Sequence, residues 1–216
     1  MSVAGTTASI SVISSPCTRK RSPRRFALLG ASAYAADPLP GPYIGAGAGK
    51  AEYKDACADI PGIAASFGLA STCDEKDIAF KIFAGYCFLP NLAVEIAYTN
   101  PGKAKATVGA ANVELKGWLI PIHAVGIVPL LDDRLWLMGK LGGVYWNGKL
   151  DGSGPGGTIS NSDNGFAFTY GAGLQYNFTP NIGVRAEYEI FHDVGDENTV
   201  GKGDIRMWSV SVVYKF

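Results

Sequence analysis

Apolar and polar positions alternate with a period of two in the last stretch of the chain, residues 204–216. One parity is continuously apolar and carries aromatic residues at both ends: Trp208, Val210, Val212, Tyr214 and Phe216. The other parity consists of Ser209, Ser211, Val213 and Lys215. Such alternation predicts a β-strand with two unlike faces. Aromatic residues that bracket an aliphatic middle are typical of a strand that crosses a lipid bilayer, because the rings lie at the two lipid–water interfaces.

Seven earlier segments show related alternation, so the sequence predicts eight strands in all. The eight strands are expected at residues 43–54, 77–88, 92–99, 113–130, 134–146, 166–178, 182–191 and 204–216. Their connections alternate between long loops, such as 100–112 and 147–165, and tight turns. Outer-membrane barrels have this asymmetry, and an even number of strands closes an antiparallel sheet without an edge. We therefore predict an all-β fold, an eight-stranded antiparallel up-and-down transmembrane β-barrel.

The charged parity of these strands is expected to face the barrel interior. On the first strand we assign the parity of Tyr43 and Tyr53 to lipid, which places the intervening charges inside. Because an unpaired buried charge is costly, we expect a network that plugs the lumen, with Glu95 meeting Arg185 and Lys140 meeting Glu187. The alternative is that several of these charges lie in water near the mouth. The predicted interior set is Lys50, Glu52, Lys81, Glu95, Lys140, Arg185, Glu187 and Glu189.

The fourth strand leaves its register open. Glu114 and Lys116 define an inward parity that would also place Trp118 and Ile120 inside. A bulge near Pro121 would restore the outward direction, because proline cannot donate to a ladder. A lipocalin-like soluble barrel stays the structural alternative for the whole chain, with its apolar residues facing inward and its charged residues outward.

Composition narrows the functional classes. The 216 residues carry 19 basic and 19 acidic side chains, which argues against a nucleic-acid binder with its basic excess. The longest apolar stretch, residues 118–131, is too short to cross a bilayer as a helix and contains two prolines. A helical membrane protein is therefore excluded, whereas a barrel is not.

Residues 1–35 have the features of an export leader, which would leave a barrel domain at residues 36–216. A basic cluster, residues 19–25, precedes the short apolar segment 26–31 and the small-x-small pattern Ala33-Tyr34-Ala35. The basic region is long and the apolar segment short, so a mis-assigned start codon or an atypical signal is open. The alternative is a disordered soluble arm.

Four cysteines divide between three predicted locations. Cys17 lies in the leader, Cys87 is expected inside the barrel, and Cys57 and Cys73 share one outward loop. In an oxidising compartment the last two are expected to form a disulfide. Two unbridged thiols are the alternative.

The second half of the chain resembles the OmpA-like eight-stranded outer-membrane barrels. The similar segments are 135–146, the hairpin 171–188, and 194–201 before a final strand that ends in Tyr-Lys-Phe. The resemblance covers residues 43–216 and implies the outer membrane of a Gram-negative bacterium, a filled interior, and insertion guided by the C-terminal aromatic strand. It concerns the barrel alone, without the peptidoglycan-binding domain of some members. Gln175 stands where members often have an acidic residue.

No arrangement of residues predicts catalysis, a metal site or a cofactor. The chain has two histidines, His123 in an apolar strand and His192 beside an aspartate, and neither lies in a nucleophile pattern. We predict a non-enzymatic outer-membrane barrel with a structural or surface-interaction role. Its expected partners are membrane lipid and lipopolysaccharide, the barrel-assembly machinery, and an unidentified partner of the outer loops. The alternatives are a narrow pore or small-ligand channel and a lipid-A-modifying enzyme.

Overall fold

The computed structural model describes residues 40–54, 70–74, 76–89, 91–131, 134–195 and 202–216. Within these ranges ten strands form: β1 (Gly41–Tyr53), β2 (Ser71–Asp74), β3 (Lys76–Leu89), β4 (Leu92–Asn100), β5 (Lys103–Val108), β6 (Ala111–Leu130), β7 (Leu135–Gly154), β8 (Gly157–Asn177), β9 (Ile182–Val194) and β10 (Gly203–Lys215). In the described part of the chain, no helix combines the length and apolarity that crossing a bilayer requires. The predicted leader, residues 1–35, lies outside the described residues, so its boundary stays a prediction.

Eight of the strands form a closed antiparallel ring, which confirms the predicted fold. The order around the ring is β1-β3-β4-β6-β7-β8-β9-β10. The first and last strands pair from Tyr43↔Lys215 to Tyr53↔Ile205, and β6 pairs with β7 to complete the circle. Because every barrel strand has a neighbour on both sides, the barrel has no open edge in the membrane.

The strands extend further on the side of the long connections than the sequence predicted. Residues 147–165 are not an irregular loop: β7 and β8 continue without a register shift to Gly154↔Gly157. The predicted loop 100–112 likewise contains β5, which pairs with the beginning of β6 and also holds β2. The prediction was wrong because these strand ends lie beyond the membrane with water on their outer face. Alternation between apolar and polar residues therefore disappears although the ladder continues.

A single irregularity joins β4 to β5. Thr99 pairs with Leu119, but Lys103 pairs with Lys116, so the register against β6 shifts by one residue. Gly102 occupies the junction with a positive φ of 80°, a conformation that glycine adopts without strain. The extra residue is therefore in the β4–β5 connection. The bulge near Pro121 that would have restored the outward direction does not occur, since β6 pairs with β7 without a register shift.

The continuous pairing of β6 with β7 settles the direction of β6. Leu119 and His123 are buried inside, whereas Ile122 is about half exposed on the outside. Glu114 and Lys116 consequently lie on the outer face of the sheet. They are charged because that part of β6 has already passed the membrane, and the inward parity that they suggested was wrong.

On β3, β4 and β7–β10, the predicted faces are confirmed. Outward positions such as Leu174, Val210 and Val212 are 47–57% exposed, whereas the intervening inward positions are buried. Apolar residues thus cover the outside and charged residues the inside. This arrangement is the reverse of the lipocalin-like alternative.

On β1 the predicted faces are reversed. Tyr43 and Tyr53 are only 4% and 7% exposed and point into the barrel with the glycines between them. The Phe83 ring lies against Gly45, where a Cβ atom would overlap it. Because bulky interior side chains of the neighbouring strand need this space, the glycine parity faces inward.

Lys50 and Glu52 therefore lie on the outer surface of β1 and not in the interior. Lys50 pairs across the sheet with Trp208, and Glu52 contacts Lys54 at 3.1 Å and Lys76 at 3.8 Å. These positions are near the outer end of the strand, where a charged head can reach water.

Two belts of aromatic side chains bound the apolar outer surface. At the side of the long connections, ring centroids lie 6.3 Å apart between Tyr98 and Trp118, 5.7 Å between Trp118 and Tyr145, and 5.1 Å between Tyr145 and Phe166. We call these four residues the outer aromatic belt. At the other end, Tyr176–Phe178 and Tyr214–Phe216 each form an edge-on pair at 5.0 Å. The apolar surface between the belts is the membrane-facing zone.

This orientation predicts a position-dependent cost of charge on β8. Leu174→Arg places a cation among lipid chains and should destabilise the barrel by about 2–4 kcal/mol. Thr158→Arg, on the same face of the same strand but beyond the outer aromatic belt, should have little effect. Urea unfolding in lipid vesicles, read by heat-modifiable gel mobility, measures both. Equal losses at the two positions would contradict the membrane boundary drawn here.

Candidate functional site

Six charged side chains meet in the centre of the barrel. They come from four strands, are each at most 5% exposed, and comprise three cations and three carboxylates: Lys81, Lys140, Arg185, Glu95, Glu187 and Glu189. We call this group the interior network. Three of its members occupy consecutive inward positions of β9, because residues two apart share a face of a strand. Its formal charge is zero, as burial of so many ions requires.

Glu95 is the acceptor at one end of the interior network. One carboxylate oxygen accepts from Arg185 Nη1 at 2.6 Å and from the Tyr43 hydroxyl at 3.1 Å. The other accepts from Lys140 Nζ at 2.5 Å. The sequence analysis predicted the contact between Glu95 and Arg185. It assigned Tyr43 to the lipid-facing side of β1 and therefore did not predict the hydrogen bond from its hydroxyl.

Glu187 and Glu189 hold the two lysines at the other end. Lys81 Nζ lies 2.6 Å from Glu187 and 2.7 Å from Glu189. Lys140 Nζ also contacts Glu187 and lies 3.6 Å from Glu189. Each lysine therefore bridges carboxylates, and removal of one member leaves several opposite charges without a full set of partners.

A chain of polar groups continues from the interior network towards the short turns. Arg185 Nε donates to Gln175 Oε1 at 2.9 Å, and Gln175 Nε2 donates to Asn177 Oδ1 at 2.8 Å. Lys215 Nζ donates to the same Asn177 oxygen at 2.9 Å and lies 4.1 Å from the centre of the Trp136 ring. The sequence did not predict these neutral partners. Two amide side chains two residues apart on a strand, such as Gln175 and Asn177, are common and do not by themselves indicate a buried polar chain.

The Phe83 ring lies among the three cations of the interior network. Its centroid is 4.7 Å from Arg185 Cζ, 5.3 Å from Lys81 Nζ and 5.6 Å from Lys140 Nζ. Aromatic faces attract cations, so an inward phenylalanine stabilises positive charge that water cannot reach. Hydropathy alone would assign such a residue to an apolar cluster.

Apolar clusters accompany the interior network at both ends of the lumen. The cluster nearer the short turns includes Tyr43, Phe83, Ile127, Trp136 and Met138. The cluster nearer the outer mouth is formed by Leu119, Val144, Trp146, Phe191, Ile205, Met207 and their neighbours. Above it lies a mouth cavity of about 340 Å³, which Leu119, Trp146 and Ile205 also line. The described interior thus alternates apolar, ionic and apolar layers.

Neither histidine belongs to the interior network. His123 is buried, and its Nε2 lies 3.2 Å from the Thr169 hydroxyl. His192 is exposed near the mouth, where its Nδ1 is 2.7 Å from Asp204 and its Nε2 is 3.7 Å from Asp193. These three groups have the spacing of metal ligands, but Lys202 Nζ already lies 3.2 Å from Asp193. The sequence did not suggest the contact with Asp204.

Two of the four cysteines, Cys73 and Cys87, lie among the described residues. Cys73 is disulfide-bonded, whereas Cys57 lies outside the described residues, so their pairing with each other stays a prediction. Cys87 is buried in the barrel interior, where the sequence placed it. Cys17 also lies outside the described residues.

A second group of polar residues occupies the outer face of the strand extension, just beyond the outer aromatic belt. Lys103 Nζ lies 3.0 Å from Glu114, while Lys116 and Lys149 lie 2.8 Å and 3.2 Å from Asp151. The face is concave, and we call it the outer groove; the residues used below are Lys105, Glu114, Lys116, Lys149, Asp151, Ser153, Thr158 and Ser160.

The acids of the outer groove stay ionised at neutral pH. Hydrogen bonds from Lys116, Ser160 and Lys149 hold the pKa of Asp151 well below its usual range. A hydrogen bond from Lys103 lowers the pKa of Glu114 in the same way. The pKa of Lys116 is raised by Asp151, so both signs of charge persist.

Comparisons with known proteins agree with this architecture. The family model for "Outer membrane protein beta-barrel domain" matches residues 26–216. Outer membrane protein A of Salmonella typhi is 30% identical over 144 residues, which cover 66% of this chain and 41% of that protein. The chain therefore spans well under half the length of this relative.

Two solved structures share the fold. Ail, the attachment invasion locus protein of Yersinia pestis, matches with a TM-score of 0.51 at 20% identity, over 82% of this chain and 100% of that chain. Neisserial surface protein A matches with a TM-score of 0.53 at 19% identity, over 82% and 97% of the two chains. At these identities the likeness shows the barrel fold alone.

The interior network predicts that Glu95→Gln is strongly destabilising. The change removes a carboxylate shared by Arg185, Lys140 and Tyr43, and leaving buried cations without their partner costs about 3–5 kcal/mol. Glu52→Gln is the matched control, because that carboxylate lies on the outer surface, and its unfolding should be unchanged. Both are measured by urea unfolding in lipid vesicles. Comparable losses in the two variants would refute the central role of Glu95.

Proposed function

Because this chain belongs to the outer membrane protein β-barrel domain family and is an outer-membrane protein of Gram-negative bacteria, we propose that its role is structural and surface-interacting, without catalysis. The observation that carries the proposal is the filled lumen. Six ions of zero net charge occupy the centre, and apolar clusters accompany them on both sides. Side chains fill an eight-stranded barrel of this kind and leave no wide aqueous channel.

A closed lumen supports a function on the surface of the barrel. The described strands extend beyond the outer aromatic belt on the side of the long connections, and β2 and β5 widen the sheet there. This extension offers polar contact surface to lipopolysaccharide and to partners outside the cell. The membrane-facing zone contacts lipid.

The outward face of β10 suits recognition during assembly. Trp208, Val210, Val212, Tyr214 and Phe216 are 43–66% exposed and form a continuous apolar row with aromatic ends. We propose that the barrel-assembly machinery recognises this row before the barrel closes, when β10 has not yet paired with β1.

A narrow pore is the competing function, and electrical recording separates the two. The intact barrel in a planar bilayer should show no large steady conductance, because the paired ions of the lumen cannot leave their partners cheaply. Brief small events are compatible with local breathing of the interior network. A steady, large conductance from the refolded wild-type barrel would refute the plug and establish the pore.

A further inference from the structure

The outer groove brings like charges together across paired strands. Lys116 is the direct partner of Lys149, and Glu114 is the direct partner of Asp151. Like charges that face each other across a sheet destabilise it. Asp151 offsets this in part, since it contacts both lysines. The arrangement nevertheless places two ammonium groups beside the Asp151 carboxylate on one exposed face, and Lys116 also lies 3.6 Å from Glu114.

The outer groove combines basic and acidic side chains with hydroxyl groups. Its lining includes Lys105, Lys116 and Lys149 together with Glu114 and Asp151, and Asp74 of β2 is the direct partner of Lys105 across the sheet. The hydroxyl-bearing residues Ser153, Thr158 and Ser160 line the same groove of about 700 Å³. Closely spaced ammonium groups attract a phosphate, and hydroxyl groups beside them can bond to a sugar.

The position of the outer groove relative to the membrane identifies its neighbour. Lys116 lies two residues beyond Trp118 of the outer aromatic belt, and Lys149 lies four residues beyond Tyr145. At about 3.3 Å per residue, the lysines lie roughly 7–13 Å along the strands from the rings. Aromatic belts mark the lipid–water interface, so the lysines are at the level of lipid headgroups and point outward from the barrel.

We propose that the outer groove binds the phosphorylated headgroup of lipopolysaccharide in the surrounding outer leaflet. Lys116 and Lys149 hold one phosphate between them, and Ser160, the hydroxyl-bearing residue of the groove nearest to them along the strands, contacts the attached sugar. A bound phosphate relieves the repulsion between the two lysines. The proposal rests on the proposed function in one respect, that this face of the barrel adjoins the outer leaflet.

The test uses the full chain refolded in detergent, with bisphosphorylated lipid A as the probe and dephosphorylated lipid A beside it. Wild type should bind the phosphorylated form about tenfold more tightly. The double variant Lys116→Gln/Lys149→Gln should lose this preference. Asp151→Asn should bind at least as tightly as wild type, because it removes the carboxylate that competes with the phosphate.

The matched control removes two lysines elsewhere on the outer rim. Lys54→Gln/Lys76→Gln lowers the net charge equally, but these lysines contact Glu52 on β1 and lie outside the outer groove. It should keep the preference for phosphorylated lipid A. Heat-modifiable gel mobility verifies that each variant is folded.

Several results would overturn the proposal. Equal wild-type affinity for the two forms of lipid A would exclude phosphate recognition, and equal losses in the two double variants would reduce it to net charge. Displacement of lipid A by millimolar inorganic phosphate would indicate a general anion site. None of these outcomes bears on the closed lumen, which the conductance recording tests separately.

Discussion

The neutral interior network is the constraint on which the rest of the barrel depends. Three cations and three carboxylates can be buried together only if each charge finds its partners, because the desolvation cost of an ion is several kcal/mol. The contacts are made between strands distant in sequence, such as Glu95 with Arg185. A slip of one residue in any charged strand would turn its ions towards lipid. The network therefore fixes the register as well as filling the lumen.

Strands that contribute no member to the interior network are shaped by the same constraint. Lys81 on β3 reaches Glu187 on β9, although β1 and β10 lie between those strands in the ring. The side chain can cross because the inward positions beneath it are small, with glycines on β1 facing Ser209 and Ser211 of β10. A Cβ atom at Gly47 or Gly49 would overlap atoms of β10. The glycine parity of β1 thus keeps the inner face small beside an ion pair that the strand does not join.

Sequence reasoning predicted the fold correctly where apolar and polar residues alternate along the membrane-spanning part of a strand. Alternation on β8, β9 and β10 defined both faces, and the run Arg185, Glu187 and Glu189 marked the interior. On β1 it failed, because glycine carries no hydropathic signal and an interior tyrosine resembles one in an aromatic belt. Tyr43 shows the ambiguity: its ring lies inside and its hydroxyl donates to Glu95. Glu95 lies on β4, which is not adjacent to β1, so this contact can be identified only once the barrel is closed and not from the β1 sequence.

The strand extension shows why charge alone does not identify an interior position. Glu114 and Glu187 both lie on strands and both pair with lysine. Glu187 is 2% exposed, so losing a partner leaves an ion in a medium of low polarity. Glu114 is open to water and ions, where a salt bridge contributes little to stability. The ion pairs of the interior network therefore matter far more for folding stability than those of the outer groove. The like-charge pair Lys116 and Lys149 is consequently better explained by what it contacts outside the barrel than by what it does for the sheet.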